Sequence, residues 1–196
     1  MSAFIQPSLA VQKFAPPTSK GWLHELKFDG FRVQLHTGSE PVIYSRNGSD
    51  FTKRFRSLVP HLEALPPAII DAELVACDGN DKPDFRALMF GSWNLCLWCF
   101  DLLSPAVRPF PLITRRHHLK RLLKGQEVLR LSETFGDPTK LLQACEDMGL
   151  EGIVSKKADQ PYKSGKNVGW IKVKTTAWRA ANADRYELFE KSGKQA

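Results

Sequence analysis

The sequence predicts an α+β fold in which antiparallel β-sheets are flanked by helices, and three observations carry that expectation. Short apolar or alternating runs recur between turn residues at Trp22–Phe28, Phe31–His36, Pro41–Ser45, Ala68–Val75 and Leu95–Leu103. A well-signed helix interrupts them, opening at Asp137-Pro138 and closing at Gly149. No internal repeat or low-complexity linker divides the 196 residues, and 42% hydrophobic content is enough for one sizeable core.

The elements follow in order. Residues 1–20 hold Pro7, Pro16 and Pro17 with little periodicity, so an extended arm over the core is expected. The first two strands meet around Asp29-Gly30, and Arg46-Asn47-Gly48 is a turn, because asparagine and glycine tolerate positive φ. Asp84 can cap a short helix through Met89. Thr114 can cap a longer one, with Leu119, Leu122 and Leu123 inward and Arg115, Arg116, Lys120 and Arg121 outward. In the Asp137 helix, Leu141, Leu142, Cys145 and Met148 form the apolar stripe. Gly152–Ser155 and Trp170–Lys174 are late strands, and Trp178, Ala181, Arg185 and Phe189 recur at helical spacing. The expected organisation is an arm (1–20), a main domain (21–176) and a helical tail (177–196).

Composition narrows the partners. A net charge of +7 leans towards a polyanion. Cys77, Cys96, Cys99 and Cys145 have no paired metal spacing, and Cys96 and Cys99 lie in an apolar run, so buried thiols are expected. No stretch is long enough to cross a membrane and no leader opens the chain, which suits a reducing cytoplasm.

The run His24-Glu25-Leu26-Lys27-Phe28-Asp29-Gly30-Phe31-Arg32 carries the chemistry. Its lysine, carboxylate, glycine and arginine suit covalent nucleotide transfer. An amine that attacks phosphorus must be uncharged, and a free lysine, with a pKa near 10.4, is neutral in only about one molecule in a few thousand at pH 7. Bringing that pKa to roughly 8 means destabilising the ammonium by about 3 kcal/mol, which clustered cations or a metal can do.

Further clusters are ambiguous one by one. Arg46 on its turn can reach a ribose or phosphate, or simply face solvent. Asp71 and Glu73 alternate on one strand face, so they hold Mg²⁺, bond a ribose or form a salt bridge. Phe100 is a base-stacking or a core residue. Glu151 and Lys156 stand at opposite ends of a short strand, and Tyr162–Lys166, with Lys163 and Lys166, forms a basic loop. Lys172 and Lys174 share one side of a strand while Ile171 and Val173 take the other. Such like charges call for an anionic guest such as a triphosphate, or else protect a sheet edge.

Taken in order, Lys27-x-Asp29-Gly30-x-Arg32, Ser45-Arg46-Asn47-Gly48, Asp71-x-Glu73, Phe100-Asp101, Glu151-Gly152-x-x-x-Lys156 and Lys172-x-Lys174 resemble the covalent nucleotidyltransferases. These are the ATP-dependent DNA ligases, RNA ligases and capping enzymes. Trp22-Leu23-His24-Glu25, Phe100-Asp101-Leu102-Leu103 and Tyr162-x-Ser164-Gly165 resemble the ligase module of bacterial end-joining DNA ligases, over residues 5–176.

The resemblance implies an adenylation-domain fold with two sheets around an ATP cleft, and Lys27 as the nucleophile that forms lysyl-AMP. It implies Glu25 and Leu26 at the adenine edge, Phe100 stacking on the base opposite Ile153, and Arg32 and Arg46 on ribose and phosphate. Glu73 would bond the ribose or organise Mg²⁺ or Mn²⁺, and Glu151 would take part in binding that metal. Lys156, Lys172 and Lys174 would contact the α-phosphate, and Asp29 would orient Lys27 or a metal-bound water. The implied partners are nicked double-stranded DNA and an end-joining protein such as Ku, for a monomer at the bacterial nucleoid. Arg115, Arg116, Lys120, Arg121, Lys163 and Lys166 are the expected DNA-backbone contacts. Relatives continue into an oligonucleotide-binding barrel, whereas only about twenty residues follow Lys174 here, so no such domain is expected. An RNA ligase, a capping enzyme or a nick-binding module without turnover are the alternatives.

Overall fold

The computed structural model describes residues 3–76, 88 and 94–182. Among the described residues, nine strands form two sheets. The first has the order β1 (Ser8–Gln12), β9 (Gly165–Lys174), β8 (Gly152–Lys157), β2 (Trp22–Leu26). The second has the order β4 (Val42–Ser45), β3 (Phe31–His36), β5 (Ile69–Ala76), β6 (Leu95–Leu102), β7 (Leu129–Leu131). Pairing is antiparallel except at two edges, where β1 joins β9 and β7 joins β6 in parallel.

The expected arm is therefore partly sheet. Ser8 pairs with Gly165 and Leu9 with Lys166, so the expected loop Tyr162–Lys166 ends as the start of β9. Gln34 fastens the arm by exchanging two hydrogen bonds with the Ile5 backbone, both 2.9 Å.

Period-two patterning explains the strands. In β3 and β5, Val33, Leu35, Ile70 and Leu74 are buried with Leu62 of helix α1 (Val59–Glu63), Leu97 of β6 and Leu119 of helix α2 (Leu112–Leu122). A second core joins Ile153 and Val173 of the first sheet to Leu141 and Cys145 of helix α3 (Pro138–Asp147). The carboxylate of Asp137 caps α3, accepting from the backbone N–H groups of Thr139 and Lys140.

Two helix expectations need correction. Helix α2 begins at Leu112, not after Thr114, with Pro111 at its N-cap. Met148 is 60% exposed, because α3 has ended before it, at Asp147. Cys96, Cys99 and Cys145 are free and buried. Of the Asp84–Met89 segment only Leu88 is described, a buried helical residue, and Arg185 and Phe189 lie outside the described residues. Helix α4 (Thr176–Ala181) is capped by the Thr175 hydroxyl. Among the described residues no helix is long and apolar enough to cross a membrane.

Candidate active site

A cavity of about 590 Å³ opens between the two sheets. Its first-sheet wall includes Leu9, Glu25, Leu26, Val154, Lys156, Trp170 and Lys172, and its second-sheet wall includes Phe31, Arg32, Glu73 and Phe100. Lys27 stands on the loop between β2 and β3, where the two walls meet, and Arg46 approaches from the turn after β4.

Lys27 is held at both ends. Its backbone N–H donates to the Gly152 carbonyl at 2.9 Å, and its Nζ lies 2.5 Å from Glu151 Oε2. The other Glu151 oxygen holds Lys174 Nζ at 2.9 Å, and that ammonium also lies 3.9 Å from the Trp178 ring centroid. One buried carboxylate thus joins two lysines. Burial, and then the charges of Lys27, Lys174 and Arg46, push the Lys172 ammonium below its ordinary pKa.

Two close glycine contacts fix this geometry. A Cβ on Gly30 would strike the Leu74 carbonyl oxygen, so only glycine lets the loop after Lys27 cross β5. Gly152, at φ +144°, would strike the Val173 carbonyl oxygen.

The paired acids of β5 part company. Asp71 accepts a bidentate bond from Arg32, at 3.0 and 2.7 Å, while Arg32 Nη1 also donates to the Ser8 carbonyl. Glu73 stays on the cavity wall. Burial, followed by the charges of Glu151 and Asp71, pushes its carboxyl up to about 7, although Lys27 and Arg32 oppose the shift.

Also on the cavity wall, Phe100 and Trp170 meet edge to face with centroids 6.1 Å apart. Lys156 Nζ sits 4.1 Å from the Phe100 centroid and 4.5 Å from that of Trp170, and donates to Glu25 Oε2 at 3.0 Å. Its pKa is lowered by burial.

Several expected site residues are placed elsewhere. Ile153 is fully buried in the α3 core; its neighbour Val154 faces the cavity, because successive strand residues point to opposite faces. Asp29, Glu151 and Lys174 lie off the cavity wall, the last two reaching it through Lys27.

Two of the expected DNA contacts are overturned. Arg115 is 1% exposed and bonds Asp101 twice, at 2.7 and 2.8 Å. Arg116 is 6% exposed and donates to Glu25 at 3.1 Å. Neither can reach a duplex, since buried carboxylates draw both guanidinium groups inward. Lys120, Arg121, Lys163 and Lys166 are exposed.

Trp170 is a cavity residue that the motifs alone did not assign. Its signal was present: it precedes Lys172 and Lys174 at the same period of two. Leu9 and Ala10 gave no such signal.

A lysine held between two sheets, in a cavity lined by cations and aromatic rings, defines the covalent nucleotidyltransferase fold class. Residues 5–174 match the family described as the ATP dependent DNA ligase domain, and the chain belongs to that family. It is 35% identical over 192 residues to the multifunctional non-homologous end joining protein LigD of Pseudomonas aeruginosa, a match covering 89% of this chain and 22% of that protein. To the SPbeta prophage-derived DNA ligase-like protein LigB of Bacillus subtilis it is 28% identical, over 87% of this chain and 67% of that one. The ligase domain of Mycobacterium tuberculosis LigD superposes with a TM-score of 0.76 at 26% identity, covering 86% of this chain and 60% of that one. A mycobacterial DNA ligase D complexed with ATP and MES gives the same TM-score and identity, over 86% and 59% of the two chains.

Proposed function

We propose that this protein is an adenylyltransferase of the DNA ligase type, in which Lys27 takes AMP from ATP and passes it to the 5′-phosphate of a nick. The observation that carries the reading is that Lys27 lines the same cavity as Lys172, Arg46 and the aromatic pair Phe100 and Trp170, with its charge felt at Lys172.

In the first step the Lys27 amine attacks the α-phosphorus. An N–P bond forms, the α–β bridging P–O bond breaks, and pyrophosphate leaves with the bridging oxygen. Lys172, Lys156 and Arg46 stabilise the charge on the phosphates, and positioning supplies most of the remaining acceleration. Lys174 acts through Glu151, and Asp29 orients the Lys27 loop. Phe100 and Val154 clasp the base, with Glu25 and Leu26 at its edge. The later steps transfer AMP to the 5′-phosphate, and the adjacent 3′-hydroxyl then displaces it to close the strand.

Glu73 and Glu151 are the fitting residues for Mg²⁺ or Mn²⁺. A carboxyl raised towards neutrality beside a second carboxylate is a site that a divalent cation relieves. When bound, such an ion neutralises phosphate charge. Glu151 Oε2, 2.5 Å from Lys27 Nζ, is placed to take the proton that the ammonium gives up before it attacks, and with Glu73 it would hold the ion.

The partners in this reading are nicked duplex DNA and an end-joining protein such as Ku, in bacterial break repair, with the chain acting as a monomer. The proposed transferase unit is residues 21–176 together with β1, whose Leu9 lines the cavity. Incubation with α-labelled ATP and Mg²⁺ or Mn²⁺ should leave an acid-labile, alkali-stable label on the protein that Lys27→Ala abolishes. No label with either metal would overturn the transfer.

A further inference from the structure

We propose that Arg116 is the positioning residue of the nucleobase slot and sets its preference for a 6-amino purine over a 6-oxo purine. The proposal rests on the adenylyl-transfer reading of the cavity but concerns the wall around Glu25 and Phe100.

One guanidinium ties three pieces of wall together. Arg116 Nη1 donates to Glu25 Oε1 and to the Phe100 carbonyl, both at 3.1 Å, and Nη2 donates to the Ser132 carbonyl at 2.5 Å. Glu25, Phe100 and Ser132 all line the cavity. They come from β2, β6 and the segment after β7, three stretches far apart in the chain.

Glu25 is 2% exposed and bonded to cations through both oxygens, to Arg116 on one side and Lys156 on the other. An ion-paired carboxylate can only accept hydrogen bonds, and each oxygen keeps a second lone pair. It can therefore accept from the exocyclic amine of adenine, while it repels the O6 of guanine at the same place.

The two cations are not equivalent. Lys156 Nζ lies over the Phe100 and Trp170 rings, in the space a stacked base needs. A base entering the slot moves that ammonium towards the phosphates. Arg116, bound to backbone carbonyls as well, stays. It then fixes the rotamer of Glu25, and it fixes Phe100 through the same group.

The neighbouring Arg115 provides the contrast. It is buried even more deeply, but its partners are Asp101 and the carbonyls of Phe110 and Gln160, and none of these lines the cavity.

The test is equilibrium binding of ATP and GTP by calorimetry in a Lys27→Ala background, so that the slot is read without transfer. Arg116→Lys should shrink the ATP:GTP affinity ratio by about tenfold or more, since a site built to bond a polar group discriminates strongly only while that group is held. Glu25→Gln should shrink it to a similar extent, and the double variant should do little more than either alone. Arg115→Lys should lower the melting temperature and leave the ratio unchanged. An unchanged ratio in Arg116→Lys overturns the proposal, as does equal binding of ATP and GTP, or of neither, by the parent. Should Arg116→Lys not fold, the parent's preference for ATP over purine riboside triphosphate, and its loss in Glu25→Gln, decides the matter. Failure of covalent labelling with the binding ratio intact would overturn the transfer and not the slot.

Discussion

Glu151 stands between two lysines, with Lys27 Nζ 2.5 Å from one oxygen and Lys174 Nζ 2.9 Å from the other. Cations crowding Lys27 are what the sequence led us to expect; the folded chain interposes a buried carboxylate. In the proposed transfer, the attacking amine starts on a carboxylate.

Replacing Glu151 by Gln leaves Lys27, Lys172 and Lys174 without their shared counter-charge. Stability should fall by about 1–3 kcal/mol, because a buried charge partner is removed, as read from urea unfolding. Labelling by ATP should fall by about 10–100-fold, in the range found for residues that orient a metal site. Unchanged labelling would remove Glu151 from the mechanism.

Gly152→Ala should be far more damaging than Gly125→Ala. Both glycines have positive φ, +144° and +82°, but a Cβ at Gly152 strikes the Val173 carbonyl oxygen and comes within 2.8 Å of Lys174 Cα, whereas at Gly125 it meets nothing within 4 Å. The first change forces β8 from β9 and carries Lys174 off Glu151. The second costs about 1 kcal/mol of backbone strain. Thermal melts and ATP labelling of the two variants provide the comparison.

His24 gives the fold an acid limit. It is buried, and its Nδ1 lies 2.8 Å from Ser155 Oγ; burial pushes its pKa below 6.5 against the opposing charge of Asp137. The unfolded chain then binds a proton that the native state refuses, so this contribution is present above about pH 6.5 and is lost on acidification below it. His36 is shifted the same way by burial. The melting temperature should fall between pH 7.5 and 5.5, and His24→Gln should flatten that slope.

If the exposed cations Lys120, Arg121, Lys163 and Lys166 bind phosphates, neutralising all four should lessen the salt dependence of nick binding. The slope of log affinity against log salt should drop by about three to four, near 0.9 for each phosphate left without its cation. An unchanged slope would place the DNA on another face.

Much of the site was legible because strand parity is local. The spacing Trp170, Lys172, Lys174 puts all three on one side of β9 whatever that strand packs against, and Val173 does fall on the core side. Parity does not say which side is the cavity. Ile153 and Val154 are both apolar, and only the packing of α3 on β8 sends Ile153 inward and leaves Val154 on the cavity wall.

From the sequence alone came the described strands other than β1 and β7, the Asp137 cap, the glycines at Lys27 and the ordered motifs, since each depends on residues a few positions apart. The tertiary structure decided which cations are site and which are scaffold. Arg115 and Arg116 read as a solvated basic helix face until the fold brings Asp101, 14 residues away, and Glu25, 91 residues away, against them. A guanidinium goes where its carboxylate is, and in a folded chain that partner is set by long-range packing that no local pattern encodes.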